Sequence, residues 1–121
     1  MNHKEVEKYL LAKPGTTLEY PFGETAAVYK VGDKKESKMF ALISEGSDPA
    51  NLSLKCRPEL AELLREKYVT VMPGYHLDKK HWNTIICSEE VPLEDLLGFI
   101  DLSYNLVVEN LPKEVRNQLQ T

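Results

Sequence analysis

Apolar positions recur at helical spacing in the last third of the chain. From Pro92 onward the apolar residues fall on one face over about five turns, and Glu94 and Asp95 are favourably placed near the N-terminus of such a helix. The pattern predicts one long helix that ends before Pro112. Because proline is well tolerated in a first helical turn, Pro112 also predicts a last short helix, in which Val115 would face inward.

Two further helices are predicted, one near the N-terminus and one in the middle of the chain. Asn2 followed by Glu5 is typical of an N-cap with its partner in the first turn, and Lys13–Gly15 would end the helix that follows. Pro58 suits the first turn of a second helix. Leucines at helical spacing follow it, so this helix should run to about Tyr68.

Five short stretches are rich in apolar and β-forming residues, and turn residues separate most of them. The predicted strands are Val28–Val31, Met39–Ser44, Leu52–Cys56, Val69–Met72 and His81–Cys87. Because most connections are of hairpin length, we expect a mainly antiparallel sheet with helices covering one face. The order of elements predicts an α+β fold, a two-layer sandwich, in a single domain over residues 1–121.

Composition excludes several classes of protein. The chain is 42% hydrophobic and 28% charged, which is typical of a globular domain. Its apolar runs fall far short of the roughly 20 residues that span a bilayer, and its first residues lack a secretory signal, so we expect a cytoplasmic protein with no membrane contact. Cys56 and Cys87 fit no metal-ligand or redox spacing and are expected to be buried thiols. No cofactor is predicted.

Charge is distributed unevenly although the net charge is −4. Residues 1–50 carry seven basic and eight acidic side chains, residues 51–87 carry six and four, and residues 88–121 carry two and seven. Generic binders of nucleic acid are usually basic overall. Any contact with DNA would therefore use a local basic surface in the middle of the chain and would be weak and sensitive to salt.

Lys55 and Arg57 form the first candidate for such a surface. In an extended strand their side chains would point to the same face, just before the helix that begins near Pro58. Two cations beside free backbone N–H groups of a helix N-terminus suit an anion or a phosphate. Alternatively, Glu59 and Glu62 neutralise the two cations as surface ion pairs.

The segment Pro73–Trp82 forms the second candidate, because it contains two of the three histidines, the only tryptophan and the adjacent lysines Lys79 and Lys80. It is predicted to be a loop between two strands. Its basic side chains would contact phosphates while Tyr75 or Trp82 supplies a stacking surface, a combination that is used against nucleic acids. Alternatively, Trp82 is the first residue of a strand and belongs to the core, and the lysines are solvated.

The histidines of this segment also raise metal and catalytic hypotheses. His76, Asp78 and His81 have a spacing that matches no zinc signature, so a hydrogen-bonded structural pair is the preferred interpretation. The chain contains no nucleophile elbow, P-loop or dinucleotide fingerprint. An enzyme that uses His76 or His81 as a general base remains the third functional hypothesis, and it would require a pocket.

Several motifs in one order resemble those of the MmcQ/YjbR family of small bacterial proteins. They are Lys13-Pro14-Gly15, Phe22-Gly23, Leu54-Lys55, Arg57-Pro58-Glu59-Leu60, Gly74-Tyr75-His76-Leu77, Lys79 and His81-Trp82. The resemblance implies a fold similar to frataxin-like and type III secretion chaperone-like proteins, and a DNA-binding role through a double-wing arrangement. The residues placed on the DNA- or phosphate-binding surface are Lys55, Arg57, His76, Lys79, Lys80, His81 and Trp82.

Two functional hypotheses from different classes follow. The first is a non-enzymatic protein that binds DNA, or another phosphate-bearing ligand, through this local basic and aromatic surface. The second is a protein-interaction module, chaperone-like in fold, that docks a partner on the sheet face or the long helix. The second hypothesis requires an exposed apolar patch larger than a few hundred Å².

Overall fold

The computed structural model describes residues 1–119, which form one antiparallel sheet and four α-helices. The helices are α1 (His3–Leu11), α2 (Pro58–Lys67), α3 (Leu93–Glu109) and α4 (Lys113–Leu119). The strands are β1 (Thr16–Glu19), β2 (Ala26–Gly32), β3 (Ser37–Ser44), β4 (Asn51–Lys55), β5 (Val71–Pro73) and β6 (Trp82–Ile86). No helix within residues 1–119 is long and apolar enough to cross a membrane.

The six strands lie in the order β1-β2-β3-β4-β6-β5, and every neighbouring pair is antiparallel. The predicted α+β fold is confirmed. The sequence pattern missed β1, a half-exposed edge strand of four residues that pairs only with β2. A short polar segment such as Thr16–Glu19 becomes a strand because a neighbour provides its hydrogen bonds, and its own apolar pattern is too weak to show this.

Helix boundaries follow the local signals closely. The Asn2 side chain accepts a hydrogen bond of 2.9 Å from the Glu5 amide, and the Glu5 carboxylate accepts one from the Asn2 amide, so the predicted N-cap of α1 is a complete capping box. Pro58 occupies the first turn of α2. The long predicted helix is α3, and Val115 of α4 is buried as expected.

All four helices pack on one face of the sheet. The core between the two layers is built from apolar side chains of every helix and of strands β2 to β6. Its fully buried members include Tyr29, Phe40, Ile43, Leu52, Ile85 and Ile100. Because strand side chains alternate between faces, this arrangement leaves a second face of the sheet without an α-helix, although a one-turn 3₁₀ helix, Gly23–Thr25, borders it, and we call it the helix-free face.

Ser103 of α3 joins the helix layer to an irregular part of the sheet. The register of β2 and β3 shifts so that Phe40 has no strand partner, and its ring packs edge-to-face on Tyr104 at 5.3 Å. The Ser103 hydroxyl donates a 2.6 Å hydrogen bond to the Phe40 carbonyl and accepts one of 2.9 Å from the Lys55 amide. The Ser103 hydroxyl thus takes the place of strand-to-strand hydrogen bonds at Phe40 and Lys55.

We expect Ser103→Ala to destabilise the fold by about 1–3 kcal/mol, because it leaves a buried carbonyl and a neighbouring amide without partners. Denaturant unfolding measures this change. Asn105→Ala, an exposed change on the same helix, is the matched control and should be neutral or slightly stabilising. Equal stability of the two variants would contradict the bridging role of Ser103.

Both cysteines are buried free thiols, as the sequence predicted. Burial raises the pKa of the Cys87 thiol to about 11 from an ordinary value of 9.0. The Cys87 thiol loses its proton at a lower pH in the unfolded chain than in the native chain. Its contribution to stability is therefore fully present below about pH 9 and is lost as the pH rises towards 11.

Stability should therefore fall between pH 8 and pH 10 by roughly 1 kcal/mol more in the wild type than in Cys87→Ala. Urea unfolding of each protein at the two pH values measures how much its stability changes with pH. Because this change is compared between the proteins, the constant loss of packing in Cys87→Ala cancels. Identical pH dependence in the two proteins would exclude this contribution.

Candidate functional site

The helix-free face of the sheet carries a different set of side chains from the core face. In β4 and β6, Leu52, Leu54 and Ile85 pack in the core, whereas the alternate positions Ser53 and Thr84 point away from the helices. The Ser53 and Thr84 hydroxyls lie 2.8 Å apart in a hydrogen bond, although both residues are buried. Something other than a helix therefore covers this face.

The cover is the β5–β6 loop, residues 74–81. Gly74 lies so close to β6 that a Cβ atom there would come within 2.8 Å of the Trp82 Cβ, and its amide donates to the Trp82 carbonyl at 2.9 Å. Only glycine permits this approach. The next amide, that of Tyr75, donates to the Thr84 hydroxyl at 3.1 Å. These two bonds hold the start of the loop against β6, while most side chains of the loop are exposed.

Arg65 of α2 holds the other end of the loop. Its guanidinium donates a 2.6 Å hydrogen bond to the Asn83 side chain, one of 3.2 Å to the Trp82 carbonyl and a third to the Lys79 carbonyl. Asn83 in turn donates to the Ala61 carbonyl of α2 at 3.1 Å. The planar fork of arginine satisfies several acceptors at once, which a lysine amine does not do in the same geometry.

Asp78 organises the turn within the loop. Its carboxylate accepts a 2.9 Å hydrogen bond from the Lys80 amide, and its other oxygen lies 2.7 Å from the His81 Nδ1. The His81 contact, followed by the Lys80 amide, lowers the pKa of the Asp78 carboxyl below its ordinary value. The pair of Asp78 and His81 is therefore a structural hydrogen bond, and within residues 1–119 no group of three ligating side chains could hold a metal.

Three of the predicted basic residues meet at the end of this loop. Lys55 is the strand partner of Trp82, and the amide of the next residue, Cys56, donates to the His81 carbonyl at 2.8 Å, so Lys55, Lys80 and His81 belong to one part of the surface. Within residues 1–119 the Lys55 and Lys80 amines form no salt bridge or hydrogen bond. We call Lys55 and Lys80 the lysine pair.

Arg57 and Lys79 are placed differently. Arg57 occupies the N-cap position of α2 without a capping hydrogen bond from its side chain, and it lines a groove between α2 and α3 together with Leu106 and Glu109. Within the described chain, neither the Arg57 guanidinium nor the Lys55 amine forms an ion pair with Glu59 or with any other acid. The alternative in which neighbouring acids neutralise the two cations is therefore not seen in the structure. The Lys79 amine is engaged, since it donates to the Gly74 carbonyl at 3.1 Å.

Trp82 is the first residue of β6 and is 8% exposed. It lies on the helix-free face, beneath the loop, and is separate from the core between the layers. Trp82 is therefore a buried first residue of a strand, as the alternative interpretation expected, but it is not part of the core between the layers. A stacking surface for a ligand must therefore come from other aromatic residues.

Those residues surround a cavity of about 460 Å³ on the helix-free face. The cavity is lined by Phe22, Thr25, Ala26, Leu42, Ser44, Ser53, Tyr75, His76 and Leu77. Phe22 and Tyr75 are 64% and 70% exposed, and the His76 ring lies against the Tyr75 ring with centroids 3.9 Å apart. His76 has a φ of 60°, a left-handed conformation that histidine adopts more readily than most residues.

The structure adds residues that sequence reasoning did not assign to the site. Arg65 looked like any charged residue of an amphipathic helix, and Ser53 like a small residue between two leucines. Phe22 stood in a motif of the resemblance, but nothing local placed it beside Tyr75, which is more than fifty positions away in the chain. The alternation within β4, which puts Ser53 and Lys55 on one face, was the one usable signal for Ser53.

The fold and the site define a class of small α+β proteins, with an antiparallel sheet covered by helices on one face and by a long hairpin loop on the other. The YjbR family model matches residues 11–106, and the chain belongs to this family.

Known relatives and structures agree with this membership. The uncharacterised protein YjbR of Escherichia coli strain K12 is 36% identical over 119 residues, which cover 98% of each chain. The uncharacterised protein YyaQ of Bacillus subtilis strain 168 is 28% identical over 88% of this chain and 98% of its own. The crystal structure of Deinococcus radiodurans protein DR2400, a DUF419 domain, is similar with a TM-score of 0.92 at 36% identity, covering 98% of this chain and 88% of that one.

Arg65→Lys should loosen the loop, because one amine does not replace the guanidinium at all three acceptors. We expect amide hydrogen exchange at Leu77, His81 and Trp82 to accelerate by about tenfold, which corresponds to roughly 1.4 kcal/mol of local stability. Glu66→Gln, an exposed change on the same helix, is the control and should leave these amides unchanged. Equal exchange in all three proteins would show that Arg65 does not hold the loop.

Proposed function

We propose that this protein binds DNA through the surface formed by the β5–β6 loop and the adjoining helix-free face of the sheet. The observation that carries the proposal is the lysine pair. Within residues 1–119 the Lys55 and Lys80 amines form no salt bridge, although the Lys80 charge acts on the nearby Asp78 carboxylate, and both lysines lie on the same sheet and loop as the exposed ring of Tyr75. Unpaired amines bind phosphates, and exposed aromatic rings stack on bases.

The distribution of charge supports this choice of surface. The acidic C-terminal third of the chain contributes α3 and α4, which pack on the opposite, helix-covered face. The sheet therefore separates most of that negative charge from the lysine pair, and phosphates that approach the loop meet the more basic middle segment. With few cations available, affinity should be modest and strongly dependent on salt.

A groove between α2 and α3 favours a second candidate, the binding of a protein partner. Leu60, Leu102 and Leu106 line this groove, Leu102 is 51% exposed, and Arg57 borders it. Because Glu109 also lines the groove, a partner with an apolar segment flanked by one acidic and one basic group would match these side chains. Because the groove is on the helix side and the lysine pair is on the loop side, separate variants test the two functions.

The double variant Lys55→Glu/Lys80→Glu should weaken DNA binding and flatten its salt dependence. If two phosphate contacts are lost, the slope of log affinity against log salt should decrease in magnitude by roughly 1.4 to 1.8. Fluorescence anisotropy with a labelled oligonucleotide, at several salt concentrations, measures both quantities.

The matched control is Lys34→Glu/Lys35→Glu in the β2–β3 turn, which makes the same change in net charge at exposed positions away from the loop. It should lower affinity only slightly. An equal loss in the two double variants would assign binding to overall charge, and no binding by the wild type at low salt would exclude the proposed function.

A further inference from the structure

We infer that the cavity between Phe22 and the β5–β6 loop receives one unstacked base of single-stranded DNA. This inference rests on the proposed function and deepens it, because it specifies the form of DNA and the position of a base. A volume of about 460 Å³ is within the usual range of small-ligand pockets. The Tyr75 amide in its wall and the adjacent Gly74 amide donate hydrogen bonds to β6, and the Leu77 amide donates to the Gly74 carbonyl, so the cavity is formed without a ligand.

The lining has the chemistry of a base-binding site. It contains no acidic side chain, lysine or arginine, so it suits a group that is itself uncharged. Leu42 and Ala26 provide apolar lining and Ser44 provides a hydroxyl, while the Thr25 hydroxyl donates to the Phe22 carbonyl at 3.0 Å and can still accept a hydrogen bond. A nucleobase combines apolar faces with a hydrogen-bonding edge, and this lining offers both kinds of contact.

Aromatic side chains border the opening from two directions. Phe22 comes from the segment before β2, while Tyr75 and His76 come from the loop, and both Phe22 and Tyr75 are largely exposed. Exposed aromatic rings provide stacking platforms of the kind that single strands use.

Charges outside the cavity indicate where the phosphates would run. Ser53 lines the cavity, and Lys55 follows two positions later on the same face of β4, roughly 7 Å along the strand. Glu24 and Glu45 lie beside Gly23, near the Phe22 side. A sugar–phosphate backbone attached to a bound base would therefore extend towards the lysine pair and away from the two glutamates.

This geometry favours single strands over duplexes. In a duplex each base is paired and stacked, and exposing its faces costs a few kcal/mol, whereas a single strand exposes its bases at much lower cost. A surface that bound only backbone phosphates would show no such preference.

The test compares a labelled oligothymidylate of about 12 nucleotides with a duplex of the same length and with the same oligonucleotide made abasic. Wild-type protein should bind the intact single strand at least about tenfold more tightly than the other two probes. Ser44→Leu fills the cavity without removing a hydrogen bond of the Ser44 side chain, and it should lower single-strand affinity by roughly fivefold or more while leaving duplex binding unchanged.

Phe22→Ala is a second variant, because it removes a rim aromatic without filling the cavity, and it should weaken single-strand binding in the same direction. Val69→Ala, an exposed apolar change outside the cavity lining, is the control. Methyl NMR signals of Ala26 and Leu42 should shift on binding through the ring current of the base, and they report that each variant is folded.

Equal affinity for the intact and abasic strands, or full affinity in Ser44→Leu, would overturn the inference. The proposed function would survive that outcome if the lysine-pair variant still lost binding. If the wild type bound none of the three probes at low salt, both proposals would fail together.

Discussion

Strands β4 and β6 bury side chains on both faces, and this two-sided burial is the constraint on which the rest of the molecule depends. On one face, Leu52, Leu54 and Ile85 form the centre of the core beneath the helices. On the other, Ser53, Thr84 and Trp82 are equally shielded from water. Hydroxyl and indole groups tolerate burial only where polar partners are available, and the loop provides the Tyr75 amide for one of them.

The two covers of the sheet differ in physical character. The helix layer is apolar and relies on area removed from water, with Ser103 satisfying the backbone groups where the β2–β3 register shifts. The loop has few apolar side chains and is held mainly by hydrogen bonds, and the Arg65 guanidinium and the Cys56 amide donate to its Lys79 and His81 carbonyls from outside it. The cavity lies beside this hydrogen-bonded loop, with Tyr75 in its lining.

Much of the fold was predictable because it depends on local rules. The capping box of α1, the proline at the start of α2 and the apolar stripe of α3 are each encoded within a few residues, and all three predictions are confirmed. The edge strand β1 was missed, since Thr16–Glu19 has almost no pattern of its own and gains its hydrogen bonds from β2. The YjbR resemblance rested on motif order, and the family match confirms it.

The candidate site depended far more on tertiary structure. The sequence by itself determined which side chains lie in the loop and that Ser53 and Lys55 share a face of β4, because strand alternation is a local property. It did not determine that the Lys79 amine is engaged, that Trp82 lies beneath the loop or that Arg57 faces a different groove. Nor did it place Phe22 beside Tyr75. These relations are decided by strand order and by the close approach of Gly74 to β6, which bring together residues far apart in the chain and are written in no local pattern.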